Sequence, residues 1–127
     1  MFNILTTAIK GAIISFTVFL IAILALMWVP QLWGWQSFRV TSSSMAPYIR
    51  PNNIIVVQPV ESSELRTGDI ITYQQPGFNT ETHRIVEIAD GMFYTQGDAV
   101  PDATPAAIEY QWIIGRVVFQ VPLGGFW

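Results

Sequence analysis

The 127-residue chain contains no cysteine, so disulfide bonds, thiolate chemistry and a cysteine nucleophile are all excluded. Charged residues are also scarce. They form 12% of the chain, whereas soluble domains carry about 25%. Part of the chain is therefore expected not to face water. The basic residues form no cluster and the formal net charge is −3, so nucleic acid is not an expected partner.

Groups that can act as a base near neutral pH are equally few. Lys10 is the single lysine and precedes a long apolar segment, so a Ser/Lys dyad in the following part of the chain is excluded. His83 is the single histidine and the one remaining base of this kind.

The apolar segment comprises residues 11–29, nineteen residues without a charge. As a helix it would span about 28 Å, close to the hydrocarbon thickness of a bilayer. Because the apolar part of a cleavable signal sequence is usually shorter, at about 7 to 15 residues, the sequence favours a retained transmembrane helix. Lys10 precedes the segment, and an aromatic band formed by Trp28, Trp33, Trp35 and Phe38 lies at its end and just beyond.

Beyond this segment, short runs of β-branched and aromatic residues alternate with Pro, Gly, Asn and Asp. We predict a mainly β fold of antiparallel strands preceded by one transmembrane helix. The domains are a cytoplasmic N-terminus at 1–10, the helix at 11–29 and a β domain at 30–127. The predicted strands are 38–41, 53–60, 69–75, 81–89, 92–96 and 111–121.

Three segments leave their local structure open. Residues 44–49 and 62–65 could each form a single helical turn. The apolar segment VPLGGFW, residues 121–127, could pack on the domain, lie against the bilayer or begin a second membrane segment.

The stretch VTSSSMAPYI, residues 40–49, places three serines where the β domain begins. A serine hydroxyl needs a neighbouring base to act as a nucleophile, and His83 lies in a predicted strand. Asp98 and Asp102, in the loop QGDAVPD, could hold the imidazole. Each feature also has an ordinary structural explanation: a polar linker, a packed histidine and a turn.

The order of these motifs resembles the type I signal peptidases, in particular the branch of archaea, the endoplasmic reticulum and some Gram-positive bacteria that uses histidine instead of lysine. The resemblance covers nearly the whole chain. The motifs that carry it are SSSMAP at 42–47, RTGDIITY at 66–73, THRIVEI at 82–88, YTQGDAVPD at 94–102 and IIGRVVFQVP at 113–122.

The resemblance implies a serine endopeptidase in which Ser44 is the nucleophile, His83 the general base and Asp102 the group that orients the imidazole. Asp98 stays a second candidate, because Asp102 follows it more closely than in the family pattern. The backbone N–H of Ser44 and the hydroxyl of Ser42 would form the oxyanion hole. Neither a cofactor nor a metal is expected.

The implied substrates are the signal peptides of secreted preproteins, cut after small residues. The implied location is the cell membrane, crossed once, with the amino terminus in the cytoplasm and the catalytic domain outside. Whether accessory membrane subunits take part stays open. Two alternatives remain: a non-catalytic membrane-tethered β module that recruits a partner, and a peptidase dedicated to one precursor.

Overall fold

The computed structural model describes residues 2–123 and divides them into two compact units, an N-terminal helix and a β domain. Helix α1 spans Phe2–Leu32 and extends beyond both ends of segment 11–29. In the described part of the chain it is the one helix long and apolar enough to cross a membrane, over Asn3–Val29. The Thr7 and Thr17 hydroxyls donate to carbonyls four residues earlier, at 2.7 and 2.8 Å, which leaves neither polar group unpaired in an apolar setting.

The β domain contains seven strands, all paired antiparallel. In spatial order the sheet runs β1, β2, β7, β3, β4, β5, β6. The mainly β fold with one preceding helix is thereby confirmed. The strands are β1 Gln36–Arg39, β2 Ile54–Gln58, β3 Ile70–Tyr73, β4 Glu81–Ala89, β5 Met92–Gln96, β6 Ala106–Glu109 and β7 Ile113–Val121.

Strand β6 is absent from the prediction. Its sequence AAIE consists largely of residues with low β propensity, and the run is too short to show alternation. It forms because its backbone pairs with β5, where Phe93 lies opposite the fully buried Ile108. The prediction was therefore wrong here, since packing against a neighbouring strand outweighs local propensity.

Two of the segments between the strands contain a single turn of 3-10 helix. Residues Ser62–Glu64 form one turn of 3-10 helix, as the sequence allowed. A second 3-10 turn, Tyr110–Trp112, occupies the predicted start of the last strand. Val121 ends β7, and most of the VPLGGFW segment lies outside the described residues.

Two apolar clusters stabilise the β domain, and β3 contributes to both because all four of its residues are buried. The first cluster lies along β3 to β6 and consists of Leu65, Ile71, Tyr73, Ile85, Phe93 and Ile108. The second joins the end of β3 and strand β2 to the serine segment and consists of Met45, Ile49, Ile55, Val57 and Ile70. The serine segment is therefore part of the packed domain, not a solvated linker.

Candidate active site

His83 lies on β4 and is aligned by the register of that strand with β3. Ile71 is opposite His83, and Tyr73 is opposite Glu81. Because directly opposed residues project from the same face of an antiparallel pair, these four side chains lie on one face of the sheet. Glu81 is exposed, His83 half-buried and Tyr73 only 1% exposed.

Ser44 is held by a compact turn over residues 44–49. The Ile49 N–H donates to the Met45 carbonyl at 2.9 Å, and the Ala46 N–H donates to the Ser43 carbonyl at 3.0 Å. Met45 and Ile49 are almost fully buried in the second apolar cluster. The Met-x-Pro sequence after the serines thus anchors the turn to the core and fixes the backbone that presents Ser44.

The two residues meet across the fold. Ser44 Oγ lies 3.1 Å from His83 Nε2, although 39 positions separate them in the sequence. This distance is within the range in which an imidazole can accept a hydroxyl proton. The arrangement can therefore activate a serine nucleophile.

The other ring nitrogen, His83 Nδ1, contacts a tyrosine hydroxyl. Tyr73 Oη lies 2.9 Å from Nδ1 and donates to Glu81 Oε2 at 3.2 Å. The buried Thr95 hydroxyl in turn donates to Tyr73 Oη at 3.3 Å. A connected polar network thus runs from Glu81 through Tyr73 and His83 to Ser44.

Burial sets the protonation states in this network. Desolvation lowers the pKa of His83 from 6.5, and the Glu81 and Asp98 carboxylates oppose that change. The imidazole is consequently neutral at pH 7 and free to accept a proton. Burial also raises the pKa of Tyr73 to about 12, so that hydroxyl keeps its proton.

Asp98 forms an ion pair with the neighbour of His83. Arg84 Nε and Nη2 donate to the two Asp98 oxygens at 2.9 and 2.8 Å. Arg84 also donates to the Gly68 carbonyl at 2.9 Å, and its guanidinium lies 5.1 Å from the centre of the Tyr48 ring. Arg84 therefore connects β4 to the loop after β5, to the turn before β3 and to the serine segment.

The glycine before Asp98 permits close approach to the proposed nucleophile. A Cβ at Gly97 would lie 2.6 Å from the Ser44 carbonyl oxygen and 3.1 Å from Ser44 Cβ. Two residues later, the Ala99 N–H donates to the same carbonyl at 2.8 Å. The Ala99 N–H thus holds the Ser44 backbone, and a side chain at 97 would push the two segments apart.

The remaining predicted residues occupy different surroundings. Asp102 is exposed in the loop after β5, and within residues 2–123 its side chain has no hydrogen bond or ion pair. Ser42 accepts a hydrogen bond from the Ser44 N–H at 3.1 Å. Ser43 is exposed. The structure therefore brings Ser42, Ser44 and His83 together, and within residues 2–123 no hydrogen bond joins Asp102 to the imidazole.

A cleft of about 320 Å³ opens beside Ser44 and His83. One side is formed by Phe38 and Val40, in and directly after strand β1, which lies at an edge of the sheet. The other apolar lining residues are Met45, Ile49, Ile55 and Val100. In the described part of the chain, no cluster of three or more His, Asp or Glu residues could hold a metal ion.

The sequence was also compared with those of known proteins. No family model matches the chain. Over 114 residues, however, it is 33% identical to Signal peptidase I W of Bacillus subtilis strain 168, an alignment covering 84% of the chain and 60% of that relative. The chain is thus similar to a signal peptidase I over most of its own length. The chain spans about 60% of the relative's length.

Several residues that contact His83 or its neighbours in the structure were not among the residues predicted from the sequence. Tyr73, Glu81, Arg84 and Thr95 all lie in predicted strands, and nothing in their local sequence distinguishes them from other strand residues. Alternation within β4 does indicate that Glu81 shares a face with His83. The pairing of β4 with β3, which brings Tyr73 to the ring, follows from the register alone.

Proposed function

We propose that this chain is a membrane-anchored serine endopeptidase of the histidine-using branch of type I signal peptidases, and that it removes signal peptides from secreted preproteins. The observation that carries the proposal is the 3.1 Å approach of Ser44 Oγ to Nε2 of the single histidine. The histidine-using branch is favoured because the single lysine, Lys10, lies in α1 and outside the β domain.

In the proposed reaction, Ser44 Oγ attacks the carbonyl carbon of the scissile peptide bond while His83 Nε2 accepts the serine proton. The resulting imidazolium returns this proton to the leaving amine, and the peptide C–N bond breaks. A water, deprotonated by the same imidazole, then hydrolyses the acyl ester and restores Ser44. Neither a metal nor a cofactor is required.

The oxyanion of the tetrahedral intermediate would be stabilised by the Ser44 N–H and the Ser42 hydroxyl. These groups are neighbours, since the N–H donates to Ser42 Oγ at 3.1 Å. Substrate would replace that internal bond, so that both donors turn to the oxyanion. One such donor contributes about 3 kcal/mol to transition-state stabilisation.

The cleft and the edge strand suit an extended peptide. Within residues 2–123, strand β1 pairs with β2 alone and lies at an edge of the sheet, so its backbone can accept another strand. Phe38, Met45 and Ile55 give the adjoining cleft an apolar lining. Small side chains at alternate positions of the peptide would enter it, which agrees with cleavage after small residues.

Anchoring fits the proposed substrate. A signal peptide is itself held in the bilayer, so an enzyme tethered by α1 would meet its cleavage site at high effective concentration. We propose the cell membrane as the location, with the β domain on the extracytoplasmic side. The roles that the family resemblance gives to Asp102 and Asp98 remain predictions.

The decisive experiment incubates the full chain, purified in detergent, with a preprotein and maps the cut by mass spectrometry. Ser44→Ala and His83→Ala are each expected to lower the turnover by about 10⁴-fold or more. Ser43→Ala is the matched control and should cleave normally, because Ser43 is exposed beside the site.

Normal processing by Ser44→Ala, with the circular dichroism spectrum unchanged, would falsify the peptidase assignment. That result would instead favour a non-catalytic binding module. Comparing several unrelated preproteins separates a general signal peptidase from one dedicated to a single precursor.

A further inference from the structure

We infer that Tyr73 and Glu81 are positioning residues for this reaction: together they fix the proton of the neutral His83 ring on Nδ1. This inference rests on the proposed function, because it assigns a role toward the same general base. It gives the task of orienting the ring in the substrate-free protein to a tyrosine on β3 instead of an aspartate in the loop after β5.

The protons available at the Tyr73 hydroxyl oxygen determine the tautomer of His83. The Tyr73 hydroxyl has one proton, and a carboxylate accepts but cannot donate, so the 3.2 Å bond to Glu81 Oε2 uses that proton. Tyr73 Oη must then act as an acceptor in its 2.9 Å contact with His83 Nδ1. The proton in that contact consequently belongs to Nδ1.

The same count explains the contact with Ser44. A neutral imidazole carries one N–H, so a proton on Nδ1 leaves a lone pair on Nε2. That lone pair faces Ser44 Oγ at 3.1 Å and can take the serine proton. The opposite tautomer would donate to Ser44 and could not act as its base.

Two further contacts hold Tyr73 in the acceptor role. The buried Thr95 hydroxyl donates to Tyr73 Oη at 3.3 Å and so fills the second acceptor position. The tyrosine and imidazole rings meet edge to face, with centroids 6.0 Å apart. Because Tyr73 is only 1% exposed, water does not compete readily for its hydroxyl.

The test uses the fact that the chain has one histidine. The ¹⁵N-labelled full chain, purified in detergent through a histidine-free tag, gives one set of imidazole signals in two-bond ¹H–¹⁵N spectra. At about pH 8 the ring is neutral. We expect Nδ1 to be the protonated nitrogen in the wild type and Nε2 in Tyr73→Phe, where no hydroxyl accepts the Nδ1 proton.

The kcat for preprotein cleavage should change together with the tautomer of His83. Tyr73→Phe is expected to lower kcat for preprotein cleavage by about 100-fold with KM nearly unchanged, because Tyr73 acts through His83 and does not line the cleft. Tyr110→Phe is the matched control, since the Tyr110 hydroxyl bonds the Val60 carbonyl away from the site. It should leave both the tautomer and kcat as in the wild type.

Glu81 provides a second measurement that leaves the buried hydroxyls in place. Glu81→Ala removes the carboxylate, so the Tyr73 proton can turn to Nδ1, and the ring should shift to the Nε2–H form. Glu81→Gln keeps an accepting oxygen and should retain the wild-type tautomer. If Tyr73→Phe does not fold, this pair of variants decides the question.

Unchanged Nδ1 protonation and kcat in Tyr73→Phe and Glu81→Ala would overturn the inference. If Ser44→Ala is nevertheless inactive, the proposed function stands and only the positioning role is lost. If Ser44→Ala is active, the proposed function fails, while the tautomer measured in its background still decides the role of Tyr73. Nε2 protonation in the wild type would also overturn the inference.

Discussion

Arg84 and Asp98 form a two-pronged ion pair, with Arg84 Nε and Nη2 at 2.9 and 2.8 Å from the carboxylate oxygens. The pair joins the loop after β5 to the strand that carries His83. The same loop holds the Ser44 carbonyl through the Ala99 N–H. The distance between proposed base and nucleophile therefore depends on a salt bridge that touches neither of them, and this dependence can be measured.

Arg84→Lys is expected to lower kcat by about tenfold, because a small displacement of a reacting group costs rate steeply. Lysine keeps the charge but cannot form the two parallel bonds to Asp98. Asp98→Asn should have a similar effect, and the double variant should be no worse than either, as expected for one shared interaction. Arg116→Lys is the control, since Arg116 contacts Asp69 through one nitrogen at 3.4 Å and the Glu64 carbonyl at 3.4 Å, without two parallel bonds to a carboxylate.

Gly97→Ala should impair both stability and activity. Its Cβ would meet the Ser44 carbonyl oxygen at 2.6 Å, so the loop or the serine turn must move. We expect a loss of about 1 to 3 kcal/mol in the free energy of unfolding and about a 100-fold loss in kcat. Thermal denaturation and preprotein cleavage measure the two quantities.

The control for that variant is Gly115→Ala, whose Cβ would clash with the Gln58 carbonyl oxygen, away from Ser44. It should destabilise the domain while the folded fraction keeps its kcat. Equal loss of kcat in both variants would show that crowding acts through general destabilisation, and not through the position of Ser44.

The acid limb of the pH profile of kcat/KM should lie below pH 6.5. Burial lowers the pKa of His83 from that value, while Glu81 and Asp98 oppose the change. Activity falls as the pH drops through the lowered pKa, since a protonated imidazole cannot accept the Ser44 proton. Glu81→Gln removes one opposing charge and should move the limb to still lower pH. Glu87→Gln, exposed on the same strand, should not.

The free energy of unfolding should also depend on the protonation of His83. Because the pKa of His83 is lower in the folded protein than in the unfolded chain, the unfolded chain binds the proton more readily. The contribution of neutral His83 to the free energy of unfolding is complete above pH 6.5. It is lost as the pH falls through the pKa of His83 in the folded protein. In His83→Gln this part of the pH dependence should vanish, which chemical denaturation at several pH values can show.

Asp102→Asn separates the two accounts of how the ring is oriented. Tyr73 contacts Nδ1, whereas Asp102 is exposed without a side-chain partner in the described residues. We therefore expect the kcat of Asp102→Asn to lie within about twofold of the wild type. Changing an orienting aspartate in a serine protease instead lowers kcat by about 10⁴-fold. A loss of that size in a folded variant would restore the aspartate to this role and contradict the one assigned to Tyr73.

Local pattern was sufficient for much of the fold. Runs of β-branched and aromatic residues between turn residues located six of the seven strands of the described residues, each end to within two positions. Strand β6 escaped because Ala106–Glu109 has no propensity or alternation of its own and is ordered by β5. Short strands defined by their neighbours cannot be found by a local pattern.

Composition and order along the chain determined which chemistry was available. The chain has a single histidine and a single lysine, and the lysine lies in the apolar helix. His83 is therefore the one base near neutral pH that the serine segment can use. The tertiary structure decided which groups meet that base. Tyr73 reaches Nδ1 through the register of β3 with β4, and Gly97 lies behind Ser44 through the path of the loop after β5. Such pairings arise from the packing of segments distant in sequence, and no local pattern encodes them.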